Sequence, residues 1–432
     1  MKTNLKYFVP ILTIIGLFLR DILEIDITMT YFLIVLSVVL ITQDINGVVS
    51  SIVFLLPYEN SIMITVLFIV AIFTILIKNN VKFNFNFLLV LIILIIFWEL
   101  LHSFNYTFSI NLYVKFSAAL ILFLLVYFQK NQIKWKSIIW FYIFGVFSFV
   151  SLVILKQSLI GGLSISAISS SFDRLGDYYD IFIGYDLYNN PNAIGLQLNM
   201  ATSLLFIDLI LFKKHSFYKI TLILFFTFVG LITQSKTFIV VLLFQILYVM
   251  TFGSKTFKQL VYRFALIITG GLIIYAGTLH YFPSLMDRLF LRFSGDYFFS
   301  GRDLIFEQYN QIVLSDIKHF FFGTGIQIIN IKSGLTSNPH NMLQEIIVAW
   351  GFVGLIWFAL FIIYILMDSY KHFNRKVTFK KFMMYLIPLT TLLISTQASR
   401  LFGKPEIIAT FIIVIAAIYD KRYLNRELVK RI

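Results

Sequence analysis

The chain is a succession of long apolar runs separated by short polar connections. The runs fall at about 7–20, 28–43, 60–77, 85–102, 110–128, 137–156, 191–212, 217–234, 237–252, 260–282, 342–367, 380–398 and 405–419. A membrane-crossing helix needs roughly 20 predominantly apolar residues, with a range of about 17–25. A helix also satisfies every backbone N–H and C=O inside its own segment, as hydrocarbon demands. The expected fold is therefore all-α: a polytopic integral membrane protein of about 12–14 transmembrane helices. Residues 47–56 are too short to cross alone and stop at Pro57, so they are expected to form half of a broken helix.

Composition excludes the alternatives. The 432 residues are 59% hydrophobic and only 13% charged, against about 25% charged in a soluble domain. No Pro/Gly/Ser-rich linker divides the chain, which predicts a single transmembrane domain over residues 1–432. The first run is followed by Arg20-Asp21 and not by small residues, so it reads as a retained helix and not a cleaved leader. There is no cysteine, which removes disulfides, thiolate metal sites and cysteine nucleophiles from consideration.

The net charge is +14. On a soluble protein such an excess would suggest nucleic acid. Here it has another cause, because alternate short connections carry it: Lys78/Lys82, Lys130/Lys134/Lys136, Lys213/Lys214/Lys219, Lys255/Lys258/Arg263, and Lys371/Arg375/Lys376/Lys380/Lys381. The tail adds Lys421, Arg422, Arg426, Lys430 and Arg431. By the positive-inside rule these face the cytoplasm, together with the N-terminus. No nucleic-acid partner is expected. The alternation then places two longer loops, 157–190 and 283–340, on the outer side.

The outer side should be poor in cations, yet Arg20, Lys115, Lys156, Arg174, Lys236, Arg288, Arg292, Arg302, Lys318, Lys332, Arg400 and Lys404 fall there. Arg288, Arg292, Lys318 and Lys332 have acidic neighbours and read first as a solvated face. Lys115, Lys236 and Arg400 lie within or beside apolar runs. They either snorkel to headgroups or converge on an anionic substrate. In the first loop Arg174 stands among Asp173, Asp177, Asp180 and Asp186, ahead of Asn190-Pro191-Asn192. That spacing matches neither an EF-hand loop nor a compact D-x-D, so no metal site is expected. Gln234-Ser235-Lys236-Thr237 breaks two apolar runs, either as a tight turn or as a turn presenting an ammonium.

In the second loop Ser300-Gly301-Arg302-Asp303 opens an amphipathic segment, with Ser300 and Asp303 in a weak capping-box arrangement. Leu304, Ile305, Ile312 and Val313 against Glu307, Gln308 and Gln311 predict an interfacial helix. Arg302 then stands in its first turn, where the helix dipole disfavours a cation. Phe322-Gly323-Thr324-Gly325 is a glycine-rich turn. Asn338-Pro339-His340-Asn341 sits at the mouth of the run that begins at Met342, and Gln344 shares roughly the face of His340. A histidine at a helix start is often merely a satisfied interfacial residue. An ionisable group at the lipid edge is nevertheless a site by default.

These residues, taken together, resemble the O-antigen ligase and O-antigen polymerase superfamily of bacterial membrane glycosyltransferases. The resemblance rests on Ser300-Gly301-Arg302 through Gly323-Thr324-Gly325. It rests also on His340-Asn341 with Leu343, Gly351, Gly354 and Leu355, on Arg174-Leu175-Gly176 with Asn190-Pro191-Asn192, and on Ser235-Lys236-Thr237. It covers about residues 170–420. It implies a C-type glycosyltransferase-like fold in the bacterial cytoplasmic membrane, with the active site facing outward. The implied donor is an undecaprenyl-diphosphate-linked oligosaccharide, and no cofactor is implied. Membrane lipid surrounds such a protein, and a flippase and a chain-length regulator of the same pathway are its implied partners. His340 takes the role of base toward the acceptor hydroxyl, Arg302 and Arg174 that of diphosphate ligands. Lys236 stands where the family usually has Arg, keeping the charge but losing the bidentate fork. Asn341, Gln344, Arg400 and Lys404 are further candidates.

The chemistry asks for these residue types independently of the resemblance. A departing lipid diphosphate needs its charge neutralised by cations or a metal, and the acceptor hydroxyl needs a base that histidine can supply at neutral pH. The leading expectation is a polymerase of capsule, exopolysaccharide or O-antigen. The alternatives are a ligase moving a finished glycan to another acceptor and a flippase for the same lipid. A transporter would more often show internal repeats and broken midplane helices, and no repeat joins the two halves.

The topology has a direct test in a cysteine-free chain. A Ser333→Cys variant should react with a membrane-impermeant maleimide in intact cells, and Thr378→Cys only after the membrane is opened. The opposite pattern would invert the orientation.

Overall fold

The computed structural model describes residues 5–59, 62–78, 81, 85–103, 110–161, 175, 187, 190–211, 216–254, 256–281, 283–293, 302–326, 341–373, 378–398 and 406–420. Among them the regular structure is helical throughout, with no strand. Five helices are long and apolar enough to cross a membrane by length and composition, and six shorter apolar helices accompany them.

The first half of the chain runs α1 (Phe8–Leu17), α2 (Met29–Thr42), α3 (Ile45–Leu55), α4 (Ile64–Lys78), α5 (Phe87–Ser103), α6 (Ile110–Phe128) and α7 (Trp135–Gly161). The short segment 47–56 becomes α3, capped by Asp44, whose side chain accepts from Gly47 N. It continues into a tight turn at Leu56–Tyr58. Ten of its eleven residues are buried, with Asn46 partly exposed, and it packs against α7 and α4. A helix buried on nearly every side belongs inside a bundle, and this one is enclosed along almost its whole length.

Several basic connections meet at one end. Gln43 Nε2 donates to Leu5 O (3.1 Å), Lys6 Nζ to Ser137 Oγ (3.3 Å), Lys78 Nζ to Gln43 O (3.2 Å), and the Lys134 amide to Asn46 Oδ1 (2.7 Å). The start of α1, the α2–α3 corner, the end of α4 and the α6–α7 turn are thus gathered together. Not all of the cations stand free, however. Lys219 is buried and ion-paired to Asp208 at 2.6 Å, each side chain 4% exposed. Lys130 Nζ lies 2.6 Å from Asp368 Oδ2, which also accepts from the hydroxyls of Tyr127 and Tyr419. Arg20, one of the cations that the positive-inside rule leaves unexplained, is buried and paired with Asp21 at 2.6 Å. An unpaired charge is expensive away from water, so burial obliges such partners.

The second half runs α8 (Pro191–Leu211), α9 (Ser216–Ile232), α10 (Lys236–Gly253), α11 (Phe257–Tyr281), α12 (Pro283–Phe293), α13 (Arg302–Leu314), α14 (Ile317–Phe322), α15 (Met342–Phe373), α16 (Phe379–Tyr385), α17 (Ile387–Ser395) and α18 (Glu406–Tyr419). The run at 380–398 is divided between α16 and α17, with Pro388 in the first turn of α17, as the missing proline N–H favours. The run at 342–367 extends to Phe373 and is broken inside, at Gly351 (φ 65°, ψ −161°).

That break is matched by an incoming turn. Gly323, which ends α14, has φ 74° and ψ −167°. Thr324 N donates to Val348 O (2.9 Å) and Gly325 N to Ala349 O (2.7 Å). The two backbones touch. A Cβ on Gly323 would lie 2.4 Å from Ala349 C, and one on Gly351 2.4 Å from Phe321 C. Both residues occupy a region of backbone space that is essentially glycine's alone.

Gly351→Ala should therefore destabilise the protein strongly. The backbone conformation alone costs on the order of 1–3 kcal/mol, and the new methyl collides with the Phe321 carbonyl. Gly270→Ala in α11, whose Cβ meets nothing within 4 Å, should leave the unfolding midpoint of the detergent-solubilised protein unchanged or slightly raised. Equal midpoints for the two variants would refute the account of the break.

Candidate functional site

One corner forms around the α9–α10 turn. Gln234 adopts a positive φ of 50°. Ser235 caps α10, its hydroxyl oxygen accepting from Phe238 N (3.3 Å) and donating to Asn192 Oδ1 (2.8 Å). The Asn190-Pro191-Asn192 segment is thereby pinned to the Ser235-Lys236-Thr237 turn. Leu175, the residue after Arg174, donates its N–H to Ile232 O (3.3 Å) and is 3% exposed. Residues 234–235 turn the chain from α9 into α10, with Lys236 as the first residue of the new helix. Lys236 is half-buried at the first position of α10. Arg174 and the acidic cluster around it lie outside the described residues, but the chain beside Arg174 is held at the end of α9, four residues before Lys236.

A second corner forms around α13 and the start of α15. Arg302 opens α13, as the sequence predicts for its first turn; its side chain and Ser300 lie outside the described residues. Asn341 caps α15. Its Oδ1 accepts from Gln344 N (3.1 Å), and its carbonyl accepts from Glu345 N (2.9 Å). That cap is the position's local role. Gln344 is buried, and its Nε2 donates to Phe306 O (2.8 Å), one turn along α13 from Arg302. Asn310 Oδ1 is 3.5 Å from the same nitrogen. The helix that begins with Arg302 is therefore tied to the helix that begins two residues after His340. His340 itself lies outside the described residues.

The corners share a neighbour. Met342 Sδ accepts from the Thr396 hydroxyl (3.2 Å) at the end of α17. In turn, α17 packs on α8 and α10, where Gln245 Nε2 donates to Thr391 Oγ1 (3.0 Å) and to Asn199 O (2.8 Å). Buried polar links of this kind join apolar helices where lipid offers no alternative partner. Arg400 and Lys404 follow Thr396 in sequence and lie outside the described residues.

Sequence reasoning missed a buried group beside the break in α15. Glu99, in the last turns of α5, is 1% exposed. Its Oε1 accepts from Ile326 N (3.0 Å) and its Oε2 from Trp350 Nε1 (3.0 Å), with Ile326 N also 3.2 Å from Oε2. One turn on, His102 Nδ1 faces Trp98 O at 2.9 Å and Nε2 faces Phe322 O at 3.0 Å. Gly354 leaves room for Trp350, since a Cβ there would lie 2.2 Å from Trp350 Cβ. The signal was available in the sequence: Glu99 is the sole acid of the run 85–102, and an ionisable residue in such a run marks a place where something is being held.

Among the described residues no group of three His, Asp or Glu side chains could hold a metal ion. No protein-family model matches the chain, and no curated protein matches it either.

The second corner can be tested chemically. In this cysteine-free chain an Asn310→Cys/Gln344→Cys pair should form a disulfide under mild oxidation. With a protease site inserted between residues 327 and 340, the cleaved halves should then migrate together until reduced. Failure of the pair to link, with each thiol separately reactive in denaturant, would separate α13 from α15.

Proposed function

We propose that the chain is a membrane glycosyltransferase that polymerises a bacterial surface polysaccharide, such as a capsule, exopolysaccharide or O-antigen. It would act on undecaprenyl-diphosphate-linked oligosaccharide at the outer face of the cytoplasmic membrane. The observation that carries the reading is the bond from Gln344 to Phe306. It ties the helix opened by Arg302 to the helix that follows His340, two elements separated in sequence that the chemistry requires side by side. The pinning of Asn192 to Ser235, with Leu175 on Ile232, supports a second cationic corner from Arg174 and Lys236.

In the proposed reaction the neutral imidazole of His340 accepts the proton of the acceptor sugar hydroxyl. That oxygen attacks the anomeric carbon of the donor as the bond to the diphosphate breaks, inverting the centre in one displacement. The departing diphosphate carries its charge toward Arg302 and Arg174, with Lys236 as a third cation. Base assistance is worth about 10²–10⁴ in rate, so charge neutralisation must supply much of the remainder. A prenyl tail that stays in hydrocarbon explains why such a site belongs at the ends of membrane helices.

His340→Gln should bind donor yet fail to elongate, because an amide cannot take the proton. Arg302→Lys should recover little activity, since a point charge replaces a bidentate fork. The assay is elongation of purified lipid-linked repeat units in proteoliposomes, with donor binding measured separately. Elongation by His340→Gln within a few-fold of wild type would remove His340 as the base. In a deletion strain, single repeat units on the carrier support the polymerase, whereas long chains retained on the carrier would reassign the protein as a ligase.

A further inference from the structure

We propose that Glu99 is a positioning residue for the transfer reaction, locking the 322–326 turn to the first half of α15, whose start carries the candidate site residues Asn341 and Gln344. The inference rests on the glycosyltransferase reading above and adds to it a residue from α5, outside all the motifs that carry that reading. The first half of α15 is held at both of its ends. Asn341 caps its start and Gln344 ties it to α13, while near the break Val348 and Ala349 accept from the amides of Thr324 and Gly325, and Glu99 accepts from Ile326 N and the Trp350 indole.

Among the described residues, Glu99 is the side chain that grips both partners of this joint. One oxygen takes Ile326 N on the incoming turn, and the other takes the indole N–H of Trp350, the residue before the break at Gly351. Both donors are N–H groups, so a carboxylate satisfies them together. A glutamine would turn one acceptor into a donor facing another donor. His102, one turn along the same helix, adds its bond to Phe322 O on the near side of the turn. Trp98 flanks it with ring contacts to His102 at 5.3 Å and to Phe322 at 5.8 Å. The end of α5 thus clamps residues 322–326 from one side while the broken helix receives them from the other. Glu99 is 1% exposed, so it acts through the turn and not on substrate.

A misplacement of the order of 1 Å can cost about 10²-fold in rate without removing any reacting group. Glu99→Gln, of equal size, should accordingly lower kcat for elongation by roughly 10²-fold with donor KM altered less than about three-fold. Trp350→Phe, which removes one donor and leaves Ile326 N on the carboxylate, should give a smaller loss of kcat of the same kind. A readout independent of activity is the thiol of Thr324→Cys, at a position 2% exposed. It should be nearly inert to maleimide in the otherwise wild-type chain and label at least about ten-fold faster when combined with Glu99→Gln, as expected for a locally opened segment.

The inference is overturned if Glu99→Gln elongates at the wild-type rate while His340→Gln is inactive, a result that leaves the glycosyltransferase reading standing. It is also overturned if both Glu99→Gln and Trp350→Phe lose donor binding in proportion to kcat, which is general unfolding. Full elongation by His340→Gln would instead remove the reading itself, and with it the reaction that Glu99 is proposed to serve.

Discussion

The joint between the Gly323-Thr324-Gly325 turn and the break at Gly351 is the interaction on which the second half of the molecule depends. A helix interrupted at Gly351 leaves the carbonyls of Val348 and Ala349 without their usual donors. In an apolar surrounding each orphan costs several kcal/mol. The N–H groups of Thr324 and Gly325 fill those positions at 2.9 and 2.7 Å. The turn is equally dependent, because its own amides have no regular structure to enter. Neither partner is stable in its conformation alone, so break and turn must form together. The absence of side chains at Gly323 and Gly351 is what allows the approach.

Glu99 brings a third element into this joint. A carboxylate buried at the end of an apolar helix is a liability unless it is fully occupied by donors. Here it is occupied by one amide from the turn and one indole N–H from the broken helix. The cost of its burial is thus offset only when α5, the turn and α15 are all in register. A buried ionic group that contributes modestly to net stability can still discriminate one arrangement from its neighbours, because any slip leaves it unpaired. That gives α5, which carries none of the motifs behind the family resemblance, a hold on both the 322–326 turn and the broken helix.

Much of the helical framework is legible in the sequence because apolar runs dictate helices, and Arg302 at the head of α13 follows from local pattern. Anything decided by a distant partner is not. Gly351 sits in an uninterrupted apolar run, where a glycine is as readily a packing notch, and only the arrival of Thr324 and Gly325 makes it a break. Segment 47–56 has the length of half a helix, whereas enclosure by α4 and α7 makes it a short interior one. Lys219, Lys130 and Arg20 look like free cations in a charge count. The acidic partners of the first two, Asp208 and Asp368, lie 11 and 238 residues away and cannot be matched by pattern. Glu99 is legible as the lone acid of its run, but an anionic substrate directs attention to cations, and its donors come from residues 227 and 251 positions further on.

The two corners place their charge alike, and the placement bears on how a diphosphate would be held. Lys236 stands at the first position of α10 and Arg302 at the first position of α13. At both places the dipole of a helix N-terminus favours an anion and disfavours a cation. Two such placements oppose local preference, and a sequence departs from local preference where function outweighs it. On the proposed reading the conflict resolves when an anion arrives, since the helix amides and the cation then act on it together. On that reading the bonds around Glu99 and Gly351 serve to keep the broken helix in shape.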